Sequence, residues 1–161
     1  YAVSFCGESG LRKVGLCGIH PLTRRYANGG EMEFNDLIPE FLVSDLSASE
    51  SFYTEILGFN EVFRREGFVF LSFNQTQLML TQLNESSWVN GNIEHPFGKG
   101  VNLTYKVPSA WLSTFQVDKK YLYLPLESET YQTGESATTV EQLIVKDPDG
   151  YLLRFLCQRT T

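Results

Sequence analysis

The chain has 161 residues, with 13 Lys and Arg against 19 Asp and Glu, a net charge of −6. Its 42% hydrophobic and 20% charged content is that of a globular protein, long enough for one real core or for two small fused modules. Residues 1–31 hold four basic against two acidic side chains and the rest nine against seventeen, so the body carries −8 and argues against a nucleic-acid partner while favouring neutral or cationic ligands. No apolar run reaches membrane-spanning length and no signal-like segment opens the chain, which implies a cytoplasmic protein without a membrane partner. Cys6, Cys17 and Cys157 form an odd set with no C-x-x-C pair and read as free thiols rather than a zinc site or a disulfide.

Residues 1–31 are rich in Gly and basic residues and show no period of 2 or 3.6. They read as a leader, an appended extension that docks on the domain, with the functional domain running over 32–161 from Met32. His20 lies in the leader and receives no role. Residues 37–43 alternate as a strand. A helix follows, capped by Asp45 or by Ser47 with Glu50, and its apolar stripe is Phe52, Tyr53, Ile56 and Leu57 up to Gly58. Strands are predicted over 59–65, 68–73 and 77–83, with turns at Glu66-Gly67 and Asn74-Gln75. This first module, 37–83, reads β-α-β-β-β.

Residues 84–100 are polar and Gly-containing, hold Trp88, His95, Pro96 and Phe97, and read as a linker. The second module, 101–158, opens with a strand over 101–107. Pro108 starts a helix with Trp111, Leu112 and Phe115 on its apolar side, and strands are predicted over 121–126, 138–146 and 151–157. Between the last two lies Asp147-Pro148-Asp149-Gly150, a sequence built for a hairpin corner. On the strand leaving it, Tyr151, Leu153, Phe155 and Cys157 face one way and Leu152, Arg154 and Leu156 the other. The order β-α-β-β-β thus recurs, and superposition pairs Val43 with Val107, Phe41 with Tyr105, Ile38 with Asn102 and Met79 with Arg154. With one face of each half covered by its own helix, the two curved sheets are expected to form a cleft from their other faces, within one chain or between two.

Four stretches carry a family resemblance: Leu42-Val43-Ser44-Asp45-Leu46 with Ser49, Phe52-Tyr53 and Leu57-Gly58-Phe59; Pro96-Phe97-Gly98-Lys99-Gly100-Val101-Asn102; Leu124-Pro125-Leu126-Glu127; and Asp147 to Phe155. In this order, on an internal repeat, they resemble the glyoxalase/bleomycin-resistance group of the vicinal oxygen chelate superfamily. The resemblance implies an α+β fold of tandem βαβββ modules with a cleft between curved mixed sheets. Enzymes of that superfamily hold a divalent metal on the first and last strands of each module, positions that fall here on Ile38, Met79, Asn102 and Arg154. No donor, a thioether, a neutral amide and a fixed cation make a poor set for a hard cation or zinc. The resemblance therefore points to the bleomycin-resistance-like binding branch, with no cofactor, no metal and no catalytic residue. The resemblance implies a homodimer that sequesters a bulky aromatic, cationic small molecule such as a bleomycin-type antibiotic, in clefts made from modules of both chains.

The candidate ligand-binding residues are Trp88, Phe70 and Tyr131 as stacking rings, and Glu40, Asn102, Thr104 and Arg154 as polar contacts. Arg154 reads either as a ligand contact or as the partner of Glu40 filling the former metal position. Trp88 is a stacking platform or a plug at a module interface. Trp111, Phe52 and Tyr53 read as core, and Glu127 and Glu129 as a solvated loop or an attractor for a cationic ligand. Two other classes remain: a metal-dependent lyase, isomerase or dioxygenase of the same superfamily, and an interaction module with no small-molecule ligand.

Overall fold

The computed structural model describes residues 33–160, so the leader with Cys6, Cys17 and His20, and its expected docking, lie outside the described residues. The first module runs β1 (Glu40–Val43), α1 (Leu46–Ser51) continuing into a π-helical turn (Phe52–Ile56), β2 (Asn60–Arg65), β3 (Phe68–Phe73) and β4 (Thr76–Gln82). The second runs β5 (Asn102–Lys106), α2 (Ser109–Thr114), β6 (Leu122–Thr133), β7 (Ser136–Lys146) and β8 (Leu152–Thr160). The sheets repeat one topology, β1-β4-β3-β2 and β5-β8-β7-β6, each with its first and last strands parallel and the other pairs antiparallel. Among the described residues no helix is long and apolar enough to cross a membrane.

Local chemistry explains the elements. Asp45, rather than Ser47, caps α1, its side chain accepting from the Ala48 backbone N–H at 3.0 Å. The apolar stripe at i, i+1, i+4, i+5 lies in a widened turn, where the Leu57 N–H donates to the Phe52 carbonyl at 3.2 Å. β1 starts at Glu40, later than the alternation suggested, because Pro39 has no N–H for the ladder; its carbonyl still accepts from Met79 at 2.9 Å. β6 extends well past its predicted end at 126, and β7 begins two residues before its predicted start at 138. The added residues are polar on both faces and are held by pairing from Glu127↔Gln142 to Thr133↔Ser136. Gln142 Nε2 also donates to Glu127 at 2.6 Å, and the Thr130 and Thr139 hydroxyls lie 2.9 Å apart. Tyr131, expected in a loop, is therefore on strand β6.

The two modules share one core. Phe59 lies 5.6 Å from Tyr105, Phe73 lies 6.0 Å from both Trp111 and Phe155, and Phe41 stacks on Tyr151 at 3.8 Å and 3°. All these rings but Trp111, which is partly buried and packs against them, belong to one buried cluster with Leu78, Leu80, Leu153 and Val145. The helix-covered faces of both sheets thus pack into this common interior, and the other faces turn outward. Within one chain the two outer faces do not close on each other, which corrects the simplest form of the expected cleft.

The corner at Asp147 is where the modules are bolted together. Asp147 and Asp149 are 1% and 0% exposed. Asp147 Oδ1 accepts from the Asp149 and Tyr151 N–H groups at 3.0 and 2.8 Å, and its Oδ2 from the Tyr53 hydroxyl at 3.0 Å. Asp149 Oδ2 accepts from the Ser44 N–H at 3.0 Å and from Ser49 Oγ at 3.4 Å. The linker closes over the corner, with Phe97 N–H donating to the Asp149 carbonyl at 2.8 Å. A Cβ on Gly98 would stand 2.4 Å from the Gly150 carbonyl oxygen and the Tyr151 Cα, so only glycine fits. Burial pushes the Asp147 carboxyl up to about 6, against the opposing pull of the Tyr151 N–H and the Tyr53 hydroxyl. Burial, then the Asp147 charge, holds the Tyr53 phenol well above its usual range.

Candidate ligand-binding faces

Each outer face carries a row of residues in register across its sheet. On module one the row is Glu40, Met79, Phe70, Phe63; on module two it is Thr104, Arg154, Ile144, Leu124. The expected equivalence of Met79 and Arg154 follows from this register. Their first-strand neighbours, however, are Glu40 and Thr104: Ile38 precedes the ladder, and Asn102 stands beside Leu152.

On module one, a cavity of about 610 Å³ is walled by Glu40, Leu42, Met79, Thr81, Phe68 and Trp88, among others. Glu40 accepts from the Thr81 hydroxyl at 2.5 Å, and the Arg65 guanidinium covers the Phe68 ring at 4.5 Å. Trp88, carried by the linker, is 92% exposed. Phe70 is corrected: it is 1% exposed and lies beside Phe34, with ring centroids 5.5 Å apart, so its own ring is not open for stacking. Nothing in the sequence signals Phe34, which precedes the first strand. Thr81 was legible, since it stands two residues from Met79 on the same face.

On module two, Asn102 and Thr104 are exposed and Arg154 is half-buried, with its Nε buried and without a hydrogen-bond partner. Glu127, Glu129 and Tyr131 alternate along β6 on the face that also holds Gln142 and Leu156. The Tyr131 hydroxyl donates to Glu129, whose hydrogen bond and charge raise the phenol above its ordinary value. The expected site residues thus divide between two faces, Glu40 and Trp88 on one, and Asn102, Thr104, Tyr131 and Arg154 on the other. The alternative Glu40–Arg154 ion pair is not made within the chain. Trp111 stacks on Phe115 at 4.4 Å and, like Phe52 and Tyr53, serves the core.

Of the positions at which the resemblance implies a metal, Ile38 has no donor and Asn102 a neutral amide, and the residues that the register sets beside Met79 and Arg154, Glu40 and Thr104, bring one carboxylate and one hydroxyl to the thioether and the guanidinium. Among the described residues no group of three or more His, Cys, Asp or Glu side chains is placed to hold a metal ion. A divalent cation needs several anionic or imidazole donors; Glu40 with Met79 supplies one and Thr104 with Arg154 none, the latter adding a fixed cation, so these residues do not fit that group. Cys157 is a free, half-buried thiol.

The glyoxalase/bleomycin resistance protein/dioxygenase superfamily profile matches residues 38–155. Among solved structures, an integron cassette protein from the mobile metagenome of V. cholerae is 22% identical over 78% of this chain and 96% of its own, with a TM-score of 0.55. A glyoxalase/bleomycin resistance protein/dioxygenase from Nocardioides is 20% identical over 78% and 83%, with a TM-score of 0.56. TioX from Micromonospora sp. ML1 is 15% identical over 76% and 94%, with a TM-score of 0.55. At these identities the likeness is one of fold. No curated protein matches the chain. The profile match spans most of the chain and coincides with the two repeated βαβββ modules: the chain belongs to the glyoxalase/bleomycin resistance protein/dioxygenase superfamily.

Proposed function

We propose that the protein is a metal-independent binder that sequesters a bulky, aromatic, cationic small molecule of the bleomycin-type antibiotic class, acting as a cytoplasmic homodimer. The observation that carries this reading is the module-one cavity, a space of about 610 Å³ lined by an exposed indole and a carboxylate among others. That volume suits a drug-sized ligand, the indole gives a stacking surface, and Glu40 supplies a counter-charge. Module two adds Tyr131, Glu127 and Glu129 on its own face, and the acidic body favours the same sign of ligand.

The test is intrinsic fluorescence titrated with bleomycin and a panel of planar cations. Of the two tryptophans, Trp111 is packed against Phe115 and Phe155 at 4.4 and 4.7 Å, while Trp88 is open. Saturable quenching that disappears in Trp88→Phe is expected. A flat response across the panel, from folded protein, overturns the reading.

A further inference from the structure

A strand at the edge of an open sheet offers unpaired N–H and C=O groups to any extended chain. The edge strands here are β1, β2, β5 and β6. Three of them are poor templates: β1 and β5 have 4 and 5 residues, and β2, with 6, is broken by a bulge between Glu61 and Phe63 and ends in Arg64 and Arg65. β6 has 12 residues and two unlike halves. Its first half carries Pro125 and two register shifts against β7, devices that blunt an edge. From Glu127 to Thr133 the pairing runs without a shift, and no Pro, Lys or Arg interrupts it. Counting back from the two-residue turn at Gly134-Glu135, residues 133, 131, 129 and 127 exchange their backbone bonds with β7, so Ser128, Thr130 and Gln132 turn theirs outward. Among the described residues no backbone group of this stretch bonds outside the β6–β7 ladder.

The side chains mark the same edge. Of the nine large apolar side chains exposed among the described residues, four lie on this one strand, Leu122, Tyr123, Leu126 and Tyr131, a concentration that an isolated surface strand does not need. Glu127, Glu129 and, at the turn, Glu135 bring three carboxylates, none within salt-bridge distance of a Lys or Arg among the described residues. An open ladder beside apolar and charged anchors is what recognition by strand addition uses, the backbone for affinity and the side chains for choice of partner. Charge decides the occupant. A second copy laid edge to edge would gather the three carboxylates of each chain together, whereas a strand with Lys or Arg at alternate positions sets cations beside Glu127 and Glu129.

We infer that residues 127–133 of β6 form a docking edge for an extended basic segment of a partner protein, which joins the second sheet as an added strand beyond β6. The edge is about 23 Å long, room for seven residues of the incoming chain. This goes beyond the ligand reading and does not depend on it.

The probe is fluorescein-labelled Lys-Thr-Lys-Thr-Lys-Thr-Lys, followed by fluorescence anisotropy against the full chain. Saturable binding is expected, with a version carrying Glu for Lys held roughly tenfold or more less tightly. The same basic peptide methylated at every backbone nitrogen keeps its charges but donates no ladder bond, and should lose binding. On the protein, Thr130→Pro removes an outward N–H while the bonds of Glu129 and Tyr131 to β7 remain, and should weaken the basic peptide roughly tenfold. Circular dichroism and Trp88 quenching by ligand should be those of wild type. Should Thr130→Pro fail to fold, Glu127→Lys with Glu129→Lys replaces it, and preference should pass to the acidic peptide. An unchanged anisotropy, equal binding of the methylated or the acidic peptide, or a folded Thr130→Pro that binds like wild type each overturns the inference. So does a loss of sedimentation coefficient in Thr130→Pro without peptide, which assigns the edge to a second copy. Trp88 quenching is read separately, so its failure sinks the ligand reading and leaves the docking edge standing.

Discussion

Replacing Asp147 by Asn isolates the electrostatic cost of the corner that joins the modules. The amide can keep the hydrogen bonds, its oxygen accepting from the Asp149 and Tyr151 N–H groups and its NH₂ donating to the Tyr53 hydroxyl oxygen. What it loses is the buried charge. The carboxyl titrates at about 6 in the folded protein against an ordinary 3.8, so the folded state binds the proton more tightly than the unfolded chain. Its contribution to stability is therefore fully present below about pH 4 and lost as pH rises through about 6. At about 1.4 kcal/mol per tenfold change in proton affinity, the whole span is about 3 kcal/mol. Urea unfolding of wild type and Asp147→Asn at a series of pH values from about 4 to 8 should show the variant gaining on wild type by about 2–3 kcal/mol as pH rises, with m-values unchanged. A difference between the two proteins that stays constant over that range would refute the reasoning, whatever its sign.

Phe41→Ala removes a buried ring stacked on Tyr151 across the module boundary and should lower unfolding free energy by about 3–5 kcal/mol, read from denaturant midpoints. Gly98→Ala places a methyl against backbone atoms at 2.4 Å; the linker must lift from the corner, and hydrogen exchange at the Phe97 amide should accelerate in the folded protein. Tyr53→Phe leaves Asp147 Oδ2 without its donor and should cost about 1.5–3 kcal/mol at pH 7, less at pH 4 where the carboxyl is protonated. Protein purified without chelator should carry no stoichiometric Fe, Mn, Ni or Zn by elemental analysis, and EDTA should leave its thermal midpoint unchanged; a tightly held metal at one per chain would contradict the donor chemistry of Glu40, Met79, Thr104 and Arg154.

The repeat was legible because its signals are local. Alternation placed Leu153 and Phe155 opposite Arg154, turn chemistry marked the corner, and the spacing of Phe52, Tyr53, Ile56 and Leu57 fixed the side on which the helix covers the sheet. Which sheet faces meet was not legible. Both faces of β3 carry large apolar side chains, Phe68 and Phe70 on one and Val69, Leu71 and Phe73 on the other, so periodicity could not tell the shared interior from the outer face, and it could not show that Phe34 lies against Phe70. The corner's partners lie 94 to 105 residues away, at Tyr53, Ser49 and Ser44, and no pattern in a single sequence reports such a distance. On the first strands the register differs from the expected pairing by two residues, Glu40 rather than Ile38 standing beside Met79 and Thr104 rather than Asn102 beside Arg154, and only the first of these follows from Pro39 delaying the ladder.

The corner's position along the chain also sets an order of assembly. As the polypeptide leaves the ribosome, α1 and its π-helical turn emerge with Ser49 and Tyr53 already formed but with their acceptors about a hundred residues from being made. Until Asp147 to Tyr151 appear, the ring of Phe41 has no stacking partner and the interior face of the first sheet stands open to water. The first module is thus a half-structure that waits on the second, and chains interrupted before residue 147 should be targets for aggregation and proteolysis rather than stable fragments.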